Sequence, residues 1–189
     1  MSDQSTVPGL PDDAFDHDGL ITKRHVRAGA FAFLRPAPGE LLWDVGLGSG
    51  AMAIEWCRAA EGARAIGLER NAERAARAER NIAALAPGAV EVRVGDVTDL
   101  LADMPSPDAV FIGGGGSDDV LARCWAALPS GGRIVAHGVT VETEAVCVAA
   151  YREHGGSLTR ISIETAEPIG RLLGWTPART ITQWAQTRA

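Results

Sequence analysis

Apolar residues in this chain fall into two alternating rhythms. Short apolar runs occur at Leu41–Val45, Ala65–Leu68, Ala109–Ile112 and Arg133–Ala136, and Val90–Val94 alternates apolar with charged residues. The apolar runs suit strands buried on both faces. Between and before them, apolar positions recur at helical spacing over Lys23–Leu34, Ala51–Ala60, Ala72–Ala86, Asp118–Leu128 and Glu142–His154. Pro87-Gly88, Pro129-Ser130-Gly131-Gly132 and Gly155-Gly156 mark helix ends. Strands alternating with helices predict an α/β fold, a mostly parallel sheet with helices on both faces. Leu158–Ile163 and Thr180–Trp184 read as sixth and seventh strands. The connection Glu164–Pro177 is too irregular for a helix, so these last two strands are expected to pair antiparallel at one edge. Thr22 is the expected N-cap of the first helix, its hydroxyl taking a free N–H. Residues 1–8 read as a flexible lead-in and 9–189 as one domain.

Composition narrows the partners. With 189 residues, 46% of them hydrophobic, the chain can fill a full core. A net charge of −6 gives no support to non-specific nucleic-acid binding, so an anionic substrate must be held by local Arg and Lys. Cys57, Cys124 and Cys147 lie far apart in helical patterns. They have neither metal-ligand spacing nor a disulfide framework, which predicts core thiols, no metal site and a reducing, cytoplasmic setting. No apolar run reaches the ~18 residues of a membrane span, and Met1–Pro8 lacks a signal-like apolar stretch.

Chemistry concentrates where strands end. The first strand runs through Asp44 into Gly46-Leu47-Gly48-Ser49-Gly50, then directly into a helix. Glycines there permit positive φ and remove Cβ atoms that would block a ligand. Gly46-x-Gly48-x-x-Ala51 also satisfies a relaxed dinucleotide fingerprint, and a tight turn without a ligand is a further reading. Glu69, with Arg70 after it, ends the second strand 19 residues beyond Gly50. A carboxylate there can accept from two ribose hydroxyls; otherwise it is a solvated cap for the helix near Asn71. Gly95-Asp96-Val97 ends the third strand, where an acid can take an adenine amino group. Asp108 to Gly116 delivers Gly113, Gly114 and Gly115 to the same edge, where a transferred group would meet its acceptor. No Gly-Lys-Ser/Thr follows, which excludes a P-loop.

These four elements, in this order, resemble the class I S-adenosylmethionine-dependent methyltransferases, whose fold is Rossmann-like. The flanks are more restrictive. Gly9-Leu10-Pro11-Asp12-Asp13-Ala14-Phe15 and Ile21-Thr22-Lys23-Arg24-His25-Val26-Arg27 resemble the start of the precorrin-6B carbon-15 methyltransferase (decarboxylating) family of cobalamin biosynthesis. Thr165 to Arg171, Trp175-Thr176-Pro177 and Gln183-Trp184 resemble its fused branch, in which this unit follows a precorrin-6Y methylase domain. The resemblance implies S-adenosylmethionine as cofactor, with contacts at Thr22, Gly46 through Gly50, Glu69 and Asp96-Val97. It implies methyl transfer to carbon 15, loss of carbon dioxide from the carbon-12 acetate, a tetrapyrrole substrate and a homotetramer.

Alignment should dominate the methyl transfer, while decarboxylation calls for a proton, with Glu142, His137 and Glu55 as candidate donors. Lys23, Arg24, Arg27, Arg171 and Arg179 are candidates to hold substrate carboxylates, with ordinary surface charge as the alternative. Trp43, Trp56 and Trp125 read as core. Trp175 and Trp184 are open to a role at the macrocycle or a subunit contact. His17, His25 and His154 read as surface or packing residues. Two other functions stay open on the residues alone: a methyltransferase acting on tRNA or protein, and a non-catalytic cofactor-binding module of a fused enzyme.

Overall fold

A computed structural model describes residues 6–189, so the first five residues of the expected lead-in lie outside the described residues. After a short 3-10 turn at Asp12–Ala14, the elements run α1 (Arg24–Leu34), β1 (Leu41–Val45), α2 (Ala51–Ala59), β2 (Arg64–Glu69), α3 (Ala72–Leu85) and β3 (Val90–Val94). They continue α4 (Val97–Leu100), β4 (Ala109–Ile112), α5 (Asp118–Ala127), β5 (Arg133–Gly138) and α6 (Val141–His154). The chain closes with β6 (Ser157–Ile161), β7 (Glu164–Ile169), β8 (Leu172–Pro177) and β9 (Ile181–Thr187).

The main sheet has the order β3-β2-β1-β4-β5-β9-β6. Its first five strands are parallel, and β9 runs antiparallel to both β5 and β6. Strand order reverses between β1 and β4, the point at which open α/β sheets bind ligands beyond their carboxyl ends. The period of two along β1 sends Leu42 toward Phe31, Leu34, Ile54 and Trp56 on one face. Leu41, Trp43 and Val45 go to the other face, with Val120, Leu121 and Trp184. Burying the four large apolar side chains of β1 contributes about 1.5–3 kcal/mol each. That sum outweighs the burial of the Asp44 carboxyl among them.

Three expectations need correction. Segment 164–177 is not irregular: β7 and β8 form a separate antiparallel hairpin whose two-residue turn puts Gly170 at φ +61°. Neither strand has a buried face to impose an apolar–polar alternation. Thr22 is not the cap of α1. Lys23 takes that position without a side-chain bond, and Asp12 reaches across instead to accept the Arg24 N–H at 2.9 Å. Trp184 is fully buried, its indole N–H donating to the Gly155 carbonyl at 2.9 Å, so it faces neither substrate nor a subunit. Cys124 and Cys147 are buried and Cys57 half-buried, all three as free thiols, and His154 stacks on Trp125 with ring centroids 4.4 Å apart. Among the described residues no helix is long and apolar enough to cross a membrane, and no cluster could hold a metal ion.

Candidate functional site

The loop from β1 to α2 is shaped by its glycines. Gly46, Gly48 and Gly50 all have positive φ. A Cβ on Gly46 would lie 2.5 Å from the Gly114 carbonyl oxygen, so the two glycine loops touch backbone to backbone. The Gly46 and Leu47 N–H groups donate to the Leu68 carbonyl, which fastens the loop to β2. Leu47 then packs over Gly67, where a Cβ would lie 2.5 Å from its side chain. The result is a cleft at the carboxyl ends of β1, β2 and β4, walled by Gly46 to Ser49, Glu69, Arg70, Val97, Phe111 and Gly113 to Gly115.

Two carboxyl groups lie in this cleft. Glu69 is buried rather than solvated: Oε2 accepts the Gly48 N–H and Oε1 the Asn71 N–H, both at 2.9 Å. Each oxygen keeps a further lone pair for a ligand hydroxyl. Asp44 is turned by the strand alternation under the first turn of α2. Gly50, the N-cap there, has no side chain to offer, and Asp44 accepts the Ala53 N–H at 3.0 Å in its place. Burial lifts the Asp44 pKa to about 7, against that hydrogen bond and with further repulsion from Glu69. Asp44 lines the cleft without having been assigned to the site from the sequence, as do Leu20, Met52, Arg74 and Phe111. An acid alone in a buried strand, just before a glycine loop, was the available signal.

The structure brings together only part of the expected set. Thr22, Gly46, Leu47, Gly48, Ser49, Glu69, Arg70, Val97, Gly113, Gly114 and Gly115 all line the cleft. Gly50, Gly95 and Asp96 do not. Gly50 faces α3, where a Cβ built on it would lie 3.5 Å from Ala78, and Asp96 is exposed, capping α4 by accepting from the Thr98 N–H and hydroxyl. Those bonds hold its carboxyl below the usual range.

None of the three expected proton donors lines the cleft. Glu55 is buried against Arg27 and the Leu10 N–H. Glu142 is exposed on the first turn of α6, where hydrogen bonds keep it ionised rather than proton-donating. His137 is buried behind Phe111, edge-on at 4.9 Å, with Nε2 bonded to Gln183 Oε1 at 2.9 Å. Desolvation pushes its pKa down to about 4, leaving a neutral imidazole at pH 7. Of the expected substrate cations, Arg27 is fully buried in the body of the fold and unavailable. Lys23 lies 3.8 Å from Asp12, and Lys23, Arg24, Arg171 and Arg179 are exposed outside the cleft lining.

Comparison with known proteins agrees with this geometry. Residues 13–188 match the family described as precorrin methyltransferase domain. A precorrin-6Y C(5,15)-methyltransferase [decarboxylating] of Sinorhizobium is 49% identical over 95% of this chain. The chain covers 44% of that relative, so it spans less than half its length. A protein of Pyrobaculum calidifontis named probable cobalt-precorrin-6B C(15)-methyltransferase (decarboxylating) is 32% identical, covering 95% of this chain and 97% of its own. The crystal structure of the C-terminal domain of precorrin-6Y C5,15-methyltransferase from Rhodobacter capsulatus superposes with a TM-score of 0.90 at 47% identity. It covers 97% of this chain and 100% of that domain. Solved methyltransferases 19% identical or less share the fold.

Proposed function

The chain belongs to the precorrin methyltransferase domain family, and from that premise we propose that it methylates carbon 15 of precorrin-6B and removes the carboxyl of the carbon-12 acetate. Relative length supports this division of labour. The longer relative is named for carbons 5 and 15, whereas the relative that the chain matches end to end is named for carbon 15 alone.

The observation that carries the reading is the pair of buried carboxyls, Asp44 and Glu69, beside a loop of positive-φ glycines in which a Cβ on Gly46 would meet the Gly114 backbone. This donor set fits S-adenosylmethionine. Glu69 has lone pairs free for the ribose hydroxyls, and the two acids balance the positive charge of the cofactor. When bound, S-adenosylmethionine supplies a methyl group already activated on a sulfonium. The chain's own task is then to orient and to exclude. Gly114 and Gly115 have nothing within 4 Å of a built Cβ, so the mouth beside Phe111 is open to a flat macrocycle. For the methyl transfer, alignment to within about 3–3.5 Å of the accepting carbon accounts for the rate gain, with little call for acid–base help. In the decarboxylation the electron pair left by carbon dioxide passes into the conjugated macrocycle and is taken up by a proton from solvent at the open mouth.

Two further parts of the reading follow. The exposed apolar hairpin supports self-association, consistent with a homotetramer. Three free thiols and a net charge of −6 suit a cytoplasmic enzyme of a small-molecule substrate rather than of nucleic acid or membrane. The test is incubation with precorrin-6B and S-adenosylmethionine, read by mass spectrometry. Gain of one methyl with loss of carbon dioxide is expected. Unchanged substrate with intact cofactor binding would instead mark a binding module of a fused enzyme.

A further inference from the structure

Segment 10–22 runs over the body of the molecule from Leu10 to Thr22, with Leu10, Phe15 and Ile21 packed into its core, and one guanidinium holds both ends. Arg27 donates from Nη2 to the Leu10 carbonyl and from Nη1 to the Thr22 carbonyl. Nη1 also meets Asp12 Oδ1 at 2.8 Å. Nε donates to Glu55 Oε1 on α2 at 3.0 Å, and that oxygen also accepts the Leu10 N–H at 3.0 Å. The middle of the segment is held by Phe15 in the core and by Asn81 of α3. Its Oδ1 accepts the Asp16 N–H, and its Nδ2 donates to the Asp16 and Ser49 carbonyls, each at 2.9 Å. A single amide therefore joins this strap to the glycine loop. On the outside, Asp16 and Asp18 pair with Arg74, Arg77 and Arg80. Between the anchors, Leu20 and Thr22 form one wall of the cleft.

Helix packing alone does not account for the Arg27–Glu55 pair. Well-packed apolar residues often hold two elements at least as firmly as a buried ion pair, and here Glu55 Oε2 is left without a partner. What an apolar pair cannot do is grip two carbonyls of the strap. We propose that Arg27 is a positioning residue for cofactor binding, acting through the strap it clasps at both ends. Asn81 carries the same constraint to the glycine loop. This inference rests on the reading of the cleft as the S-adenosylmethionine site.

The test is calorimetric titration of the whole chain with S-adenosylhomocysteine, below the unfolding temperature of every variant, together with hydrogen exchange over residues 10–22. For Arg27→Met, affinity is expected to fall about tenfold or more, the range for one charged hydrogen bond. Exchange in the strap should rise and be restored by the ligand, and Arg27→Lys should recover part of the affinity. A purely structural role predicts lower thermal stability with unchanged affinity, and that result overturns the proposal. Should Arg27→Met not fold, the exposed double variant Asp16→Ala, Asp18→Ala carries the test. It is expected to loosen the strap and weaken binding about two- to fivefold, as for exposed ion pairs. Looser exchange with unchanged affinity there also overturns the proposal. Failure of the unaltered chain to bind removes the cofactor reading itself, and the proposal falls with it. Binding by the unaltered chain with unaffected variants removes the proposal alone.

Discussion

In the cleft, two carboxyl side chains are buried and partnered, whereas in the β7–β8 hairpin large apolar side chains stand in solvent. Asp44 and Glu69 are at most 5% exposed and both hydrogen-bonded. Ile169, Leu172, Leu173 and Trp175 are 68–76% exposed. Each region departs from the usual rule of apolar inside and polar outside, and each departure points to a missing companion. The buried acids suit a small cation. The exposed ribbon, with four large apolar side chains uncovered, suits another protein surface.

The contrast predicts that substitutions in the cleft act on ligand binding and those in the hairpin on assembly. The largest effect is expected from Gly46→Ala. Its Cβ would meet the Gly114 backbone at 2.5 Å, in a residue with φ +78°. One loop must therefore move, and S-adenosylhomocysteine binding should disappear from calorimetry while circular dichroism still reports a folded chain.

Asp44→Asn comes next. With a folded pKa of about 7 against an ordinary 3.8, the folded chain keeps a proton that the unfolded chain has lost between those values. The stability contributed by protonated Asp44 is complete below about pH 4 and is lost as pH rises through about 7. Asn should flatten that decline, which amounts to about 4 kcal/mol between pH 4 and pH 8, read by denaturant unfolding across pH. A cationic cofactor favours the carboxylate, so binding to the unaltered chain should release protons near pH 7 and tighten from pH 6 to 8. The Asn variant should show neither.

Glu69→Ala should weaken S-adenosylhomocysteine binding by ~1.5–3 kcal/mol, the loss of charged hydrogen bonds at the ligand, measured by calorimetry. An unchanged affinity would reduce Glu69 to a clamp on Gly48 and Asn71. The smallest effect on the cleft is expected from Trp175→Asp. Cofactor affinity should stay within about 0.5 kcal/mol, while sedimentation shifts toward smaller species. An unaltered sedimentation profile would remove the hairpin from the assembly interface.

Legibility in the sequence followed burial. Strands β1, β2, β4 and β5 are enclosed on both sides, so their apolar runs stood out, and the glycine loop and Glu69 could be placed from them. The hairpin has no enclosed face, and with Pro168, Gly170 and Gly174 interrupting it, no period survived to be read. Arg27 passed for one of a surface basic group, because its partner Glu55 lies on a different helix. Its position on the face of α1 that also carries Phe31 and Leu34 was the available sign that it points inward. The proton donors were misplaced for a similar reason. Spacing showed acids and a histidine near strand ends but not that Phe111 screens His137 or that the strap covers Glu55.

The central claim is that the Glu69 carboxylate grips the ribose of a cofactor seated against the β1 glycine loop. A crystal structure with S-adenosylhomocysteine tests it most directly. The account predicts both ribose hydroxyls on Glu69, with the homocysteine sulfur directed toward Gly113–Gly115. Ligand bound elsewhere, or Glu69 still engaged only with Gly48 and Asn71, would contradict it.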